Sequence, residues 1–294
     1  MSEKKKWGDL KYATWIKDTP GLNTIMMHLW PRRTACEVYI SDTIDVTEVM
    51  KYIEEENKKH PEYHTTIFHC VVTAVARMLM EREKMNYFVQ GRRLYKRDEI
   101  SLGFVAKRHF SDGAEESLLV LKPKETDTLS DISKQIFGDV TKERQKKSAD
   151  GINQTIDSFA ALPRPILMFA LGIIKRLDFY GKVPSSLREG DTHYVSVLLS
   201  NLGSIHCPSV YHHLCDYGTN SIVVTIGTVH KEERVMPDGT KQERDILDIG
   251  CTIDERIADG FYFARSLKLI HHTMAHPELL EVPLNVPSGY DYES

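Results

Sequence analysis

Residues 245–270 read DILDIGCTIDERIADGFYFARSLKLI. From Asp245 to Ile253 polar and apolar residues alternate, the period of a strand with one face buried. From about Gly260 the apolar residues fall at Phe261, Phe263, Ala264, Leu267 and Ile270, the spacing of a helix. Asp254–Gly260 lies between them, dense in charge and closed by Asp-Gly. A strand, a tight charged turn and a helix in direct succession form a rigid frame that can present a reactive side chain.

The rest of the chain supplies partners for that frame. Residues 1–30 read as an arm with one short helix, and Ala35–Ile44 alternates as a strand. Asp45, with Glu48 three residues on, marks the N-cap of a helix that runs to about Lys59 and stops before Pro61. Thr65–Arg82 is a strongly apolar helix, on which His69, with His64 flanking, reads as a satisfied core histidine rather than a ligand. Short strands follow at Asn86–Gln90, Arg93–Tyr95, Ile100–Ala106 and Ser117–Leu121, then an amphipathic helix at Thr128–Lys147 with a solvated, charge-rich end. Gly151–Asp178 reads as helical with a break at Pro163 and Pro165, followed by a loop at Gly181–Gly190. Strands at His193–Leu199 and Ser221–Val229 come next, the second turning at Pro237-Asp238-Gly239 into the strand described first. The tail after Pro277 reads as an extended arm. Strands and helices do not alternate strictly, so a layered α+β architecture is expected rather than a doubly wound sheet. The expected organisation is an arm at 1–30, one domain at 31–280 and a tail at 281–294.

At 294 residues the chain can bury a large core, and its formal charge of −4 argues against a nucleic-acid binder. Five scattered cysteines without CxxC spacing read as reduced thiols, which suits the cytoplasm. The lysines at the N-terminus precede no apolar run, so no signal peptide is expected. The most apolar segment, Ile166–Ile174, is bounded by Arg164 and by Lys175-Arg176 and is too short for a membrane span. Burial inside the domain is the expectation for it; a membrane-surface or partner-binding helix is the alternative.

Aligned on Asp259-Gly260, the central turn reads ExxxDG. It resembles the DHRxxDG signature of the dihydrolipoyl acyltransferase cores of 2-oxo acid dehydrogenase complexes, whose HxxxDG part chloramphenicol acetyltransferases share. Leu199-Ser200-Asn201-Leu202-Gly203 is similar to that family's ISNLG. Val46–Lys59, Thr65–Met80, Met85–Phe88, Ile100–Gly103 and Ser221–Gly227 follow the family's order of elements, so the resemblance spans about Val38 to Leu280.

The resemblance implies a two-layer α/β sandwich of the coenzyme A-dependent acyltransferase type, with a mixed sheet and helices on one face. It also implies a homotrimer whose active-site channels lie between subunits, coenzyme A entering from one side and the acyl acceptor from the other. A lipoyl group would have to arrive in trans, and no metal is expected. By position, Ser200 stands where the oxyanion donor should be, although a strand-end serine satisfying backbone fits it equally. Asp259 stands for the aspartate that holds an arginine and shapes the turn, and Gly260 for a conformation unfavourable to other residues. Arg256, Asn201 and Gly203 complete the two motifs. The departure is Glu255, which occupies the place of the catalytic histidine. A carboxylate is a weaker base, with a reference pKa of about 4.3 against about 6.5 for histidine. Burial in a channel would strengthen it, and an adjacent Arg256 turned the same way would weaken it. His206 and His193 are candidate substitute bases. The cluster of His206, His212 and His213 with Cys207 and Cys215 lacks a zinc spacing. The expected function is a stand-alone acyltransferase acting between coenzyme A and a small-molecule or lipoyl acceptor. The alternative is a catalytically silent trimer, a pseudoenzyme, that binds coenzyme A thioesters or scaffolds a complex.

Overall fold

The computed structural model describes residues 4–107, 116–145 and 160–292. Its elements in chain order are β1 (Ala13–Trp15), α1 (Gly21–Leu29), β2 (Glu37–Asp45), α2 (Thr47–Lys59), α3 (Ile67–Glu81), β3 (Tyr87–Gln90), β4 (Arg93–Arg97), β5 (Leu102–Lys107) and β6 (Glu116–Leu121). They continue with α4 (Leu129–Gln145), α5 (Arg164–Phe179), α6 (Ser185–Arg188), β7 (Val197–Asn201), β8 (Ile222–Val235), β9 (Lys241–Asp254), α7 (Gly260–Ala275) and α8 (Glu278–Glu281). Six strands form one mixed sheet in the order β2-β9-β8-β7-β5-β6, with β8, β7 and β5 parallel and the other pairings antiparallel. The alternation of β8 and β9 turns Ile222, Val224, Ile226, Leu247, Ile249, Cys251 and Ile253 into one core shared with α2, α3, α4 and α7. This is the expected two-layer α+β sandwich.

The central helix is α3, in which every residue from Phe68 to Leu79 is buried. It starts at a reciprocal cap: the Thr66 side chain accepts from the His69 backbone, and the His69 ring accepts from the Thr66 N–H at 3.2 Å. Burial pushes the His69 pKa down to about 4, so the ring stays neutral, as its acceptor role requires. Asp45 sits one position before the N-cap expected of it, accepting from the Thr47 N–H at 3.0 Å and its hydroxyl at 2.7 Å.

Arg77 of α3 is fully buried and donates to four carbonyls, those of Val286, Leu279, Val282 and Pro283, at 2.6–3.2 Å. The tail after Pro277 is therefore not an extended arm. It folds through α8, buries Leu280 and Leu284 completely, and ties Ser288 to Glu81 by two bonds of 2.8 Å. Prolines interrupt the helix, and the carbonyls thereby freed are what a buried guanidinium needs. At the other terminus β1 pairs with β4 in a three-stranded sheet β1-β4-β3, where Ala13 packs with Phe88 and Tyr95.

A second expectation fails at α5. The helix forms, but Asp178 is its only buried residue, and the apolar run Ile166–Ile174 is half-buried or exposed throughout. Apolar composition shows that a helix calls for cover, not that its own chain supplies it. Residues 151–159 of the helix expected there lie outside the described residues.

Candidate active site

The strand β9 ends at Asp254, which is completely buried, and two arginines converge on it. Arg256, 1% exposed, donates to both carboxylate oxygens at 2.8 and 2.7 Å and to the Trp30 carbonyl at 3.0 Å. Arg33 lies 3.6 Å from the same carboxylate and spends its other donors on the carbonyls of Cys215, Val89 and Gly218. Burial draws the Arg33 pKa down, whereas Asp254 holds that of Arg256 up despite burial. Ile257 and Ala258 are buried as well, and Asp259 caps α7 by accepting from the Tyr262 N–H at 2.9 Å. Glu255 is left pointing outward, its backbone N–H bonded to the Cys36 carbonyl at 2.9 Å and its carboxylate without a partner among the described residues.

Two expectations for this turn change, and the open question of where Arg256 points is answered. The arginine-holding aspartate is Asp254, not Asp259, because only Asp254 is sealed inside with a guanidinium. Arg256 turns inward and does not face Glu255's side of the turn. Gly260 has no left-handed backbone, and a Cβ there would meet nothing within 4 Å, so the position makes no demand for glycine.

Ser200 and Asn201 close β7. Ser200 is half-buried, and its hydroxyl has no partner among the described residues. Asn201 and Ser204 bond each other, at 2.8 Å through the Ser204 hydroxyl. Gly203 and Gly227 carry the next step, because a Cβ on Gly203 would collide with the Gly227 carbonyl. The chain turns through His206, exposed and left-handed at φ 56°, and lays Ser209 and Val210 over Gly227 and Gly250. Ser200 pairs with Thr225, which pairs with Gly250. From Gly250 to Glu255 is five residues of about 3.3 Å and from β7 to β9 two spacings of about 4.8 Å, so the two Cα atoms stand about 19 Å apart. Neither Ser200 nor His206 meets Glu255 within one chain.

His193 does share the Glu255 end. Its carbonyl accepts from Thr219 and Asn220 at 2.8 Å each, and Asp254 donates to the adjoining Ser221 carbonyl at 2.9 Å. Its ring nitrogen Nδ1 sits 2.7 Å from Asp191, and Tyr217 packs edge-on at 5.7 Å between centroids. The bonds to Asp191 and then Cys215 push the His193 pKa up to about 10, and the His193 partner pulls the Cys215 thiol down. Held so, His193 keeps its proton at neutral pH and is an acid rather than a base. Cys215 in this group was missed from the sequence; the one local signal was Asp191-Thr192-His193.

A cleft of about 480 Å³ opens beside the turn, lined by Arg32, Arg33, Arg92, Lys175, Phe179 and Arg256 among others. Among the described residues no group of three or more histidine, cysteine or acidic side chains is arranged to hold a metal.

The 2-oxoacid dehydrogenases acyltransferase (catalytic domain) family model matches residues 23–151, a stretch that ends before Ser200 and Glu255. Among curated proteins, none matches the chain. In fold the chain is similar to the cubic core of a pyruvate dehydrogenase multienzyme complex, with a TM-score of 0.60, 14% identity, and coverage of 91% of this chain and 94% of that one. It is equally similar to the dihydrolipoamide acetyltransferase of Azotobacter vinelandii, at TM-score 0.60 and 15% identity over 91% and 94% of the two chains. That structure concerns the role of one serine, one histidine and one asparagine in catalysis. A chloramphenicol acetyltransferase follows at TM-score 0.53 and 12% identity, over 89% of this chain and 99% of that one. The family resemblance is thus met in sequence over residues 23–151, which hold neither motif, and in fold over nearly the whole chain.

Proposed function

We propose that the chain is an acyltransferase that moves an acyl group between coenzyme A and a small-molecule or lipoyl acceptor, at a site shared by two copies in a homotrimer. The observation that carries this reading is the separation of about 19 Å between Ser200 and Glu255, estimated from strand spacings. Ser200 stands near the end of β7 and Glu255 directly after β9, so a site that used both would draw them from two chains. The solved structures with this fold include the core of a multienzyme complex and a dihydrolipoamide acetyltransferase studied for the role of a serine, a histidine and an asparagine in catalysis, which favours the reading.

In the proposed step Glu255 takes the proton of the acceptor's thiol or hydroxyl, and that atom attacks the thioester carbonyl. The Ser200 hydroxyl of the neighbouring copy donates to the oxyanion. The carbon–sulfur bond then breaks, and the coenzyme A thiolate recovers the proton from Glu255. Arg32, Arg92 and Lys175 at the cleft offer charge for the coenzyme's phosphates. Five free cysteines agree with a reducing cytoplasm.

One observation favours the silent-scaffold reading: no group of its own chain orients the Glu255 carboxylate among the described residues. Titration with acetyl-coenzyme A, read as a rise in melting temperature, separates the outcomes. A saturable rise together with transfer that Glu255→Gln abolishes supports the enzyme. A rise without transfer to any acceptor leaves the scaffold, and no rise at millimolar ligand excludes both readings that need coenzyme A.

A further inference from the structure

The acyl-transfer site draws on α5 only at its C-terminal end, where Lys175 and Phe179 line the cleft, and leaves the rest of the helix unused. Its inward residues are Leu167, Ala170, Ile174 and Leu177, all half-buried. Two outward stripes run beside them. One holds Ile166, Phe169, Ile173 and Arg176; the other holds Arg164, Met168, Leu171 and Lys175. Phe169 is 71% exposed, Met168 64%, Ile166 53% and Ile173 47%. Among the described residues, the uncovered surface therefore wraps more than half of the helix, well beyond the single stripe that a helix lays into a protein groove.

The charges on this surface are of one sign. Arg164, Lys175 and Arg176 are exposed at the two ends of the stripes, and residues 164–177 contain no acidic residue. Lys182 follows, with Phe179 and Tyr180 exposed at the same end, and Lys175 and Phe179 line the cleft that Arg32 and Arg92 also line. Cations at the ends of an apolar face, with aromatic rings beside them, match a bilayer interface: the apolar stripes enter the acyl boundary while the cations reach phosphate headgroups. At 16 residues α5 is about 24 Å long, short of the roughly 30 Å of a hydrocarbon core, so it suits a helix lying in the interface plane. No helix among the described residues is long and apolar enough to cross a membrane.

The helix is also firmly mounted. Asp178, near its C-terminal end, accepts from Tyr194 at 2.7 Å, from Gln90 at 3.1 Å and from the Gly218 N–H at 3.2 Å. Docking along α5 would therefore hold the whole domain at the surface in one orientation.

We propose that α5 docks this protein on an anionic phospholipid bilayer, its two outer stripes entering the interface and Arg164, Lys175 and Arg176 engaging lipid phosphates. The proposal does not depend on acyl transfer. Its test is co-sedimentation of the full chain with phosphatidylcholine vesicles made with and without phosphatidylglycerol. Binding is expected only with the anionic lipid, weakening as salt is raised. Lys175→Glu with Arg176→Glu should lower partitioning by at least about tenfold, since each cation near such a surface contributes up to several-fold. Phe169→Glu should abolish partitioning while leaving the melting temperature unchanged, because that side chain makes little of the core. Light scattering on the same variants decides the rival occupant. If Phe169→Glu splits an assembly that wild type forms without lipid, the face belongs to a second copy and the proposal falls. Absence of binding to anionic vesicles, or equal binding to neutral ones, overturns it as well.

Discussion

The two ends of the six-stranded sheet are built on different principles. At the Glu255 end the backbone is held by buried charge: Asp254 between Arg256 and Arg33, with His193 and Asp191 one strand away. At the Ser200 end it is held by close backbone contact, Gly203 against Gly227 and the 209–210 segment against Gly227 and Gly250, with no buried ion pair among the described residues. Buried charge fixes a turn so that one neighbouring side chain can face outward unsupported. Glycine contact instead brings two chain segments together and leaves the adjacent serine hydroxyl free. Each end thus presents one polar group without a partner among the described residues, and the two stand about 19 Å apart within one chain.

The largest expected effect tests that division. Glu255→Gln should reduce transfer by about 100- to 10,000-fold, the range for loss of a positioned base. Ser200→Ala should cost about 100- to 1,000-fold, as for an oxyanion donor. If the halves meet between copies, unfolding the two inactive variants together and refolding them should restore part of the activity in mixed assemblies. Recovery of nothing, with mixed assemblies confirmed by native mass spectrometry, would place a complete site within one chain.

The next effect is on stability and should differ between the ends. Asp254→Asn strips two buried guanidinium groups of their carboxylate, and breaking a buried pair costs about 3–5 kcal/mol. Gly227→Ala, which forces a methyl against the Ser209 N–H, should cost about 1–3 kcal/mol, as overpacking does. Urea denaturation of both variants checks the ranking. A milder loss at Asp254 than at Gly227 would show that the ion pair does not govern its end.

How much of this was legible beforehand follows from what each signal depends on. Alternation and helical spacing depend on local burial, so β2 to β9, α2, α3, α4 and α7 were legible, whereas β1, three residues inside the expected N-terminal arm, was not. The partner of Arg256 was not legible, because Asp254 and Asp259 are equally acidic neighbours and only three-dimensional burial separates them. Arg77's hold on the tail was hidden for a similar reason: its partners are backbone carbonyls more than 200 positions away, and carbonyls carry no sequence signal. Exposure of α5 was misread because apolar composition is the same whether a helix is covered by its own domain or by something else.

The smallest expected effect concerns the charge that flanks the Glu255 end. Asp191 and Cys215 raise the His193 pKa to about 10, above the ordinary value of 6.5. A histidine raised in the folded state binds its proton more tightly there than in the unfolded chain. Its contribution is therefore complete below pH 6.5 and fades as pH rises through about 10, provided Asp191 stays ionised. The depressed Cys215 thiol contributes in the opposite direction and is removed from the comparison by working in a Cys215→Ser background. There, Asp191→Asn should lower stability by no more than about 1 kcal/mol near pH 6, because the His193 side chain is 45% exposed and solvent screens the pair. The difference should vanish above the folded-state pKa. In the native background the same Asp191→Asn change should slow alkylation of Cys215 by iodoacetamide near neutral pH, since a less firmly protonated imidazole holds less thiolate beside it. A thiol whose rate ignores Asp191 would uncouple His193 from Cys215 and leave Asp254 as the sole electrostatic anchor of that end.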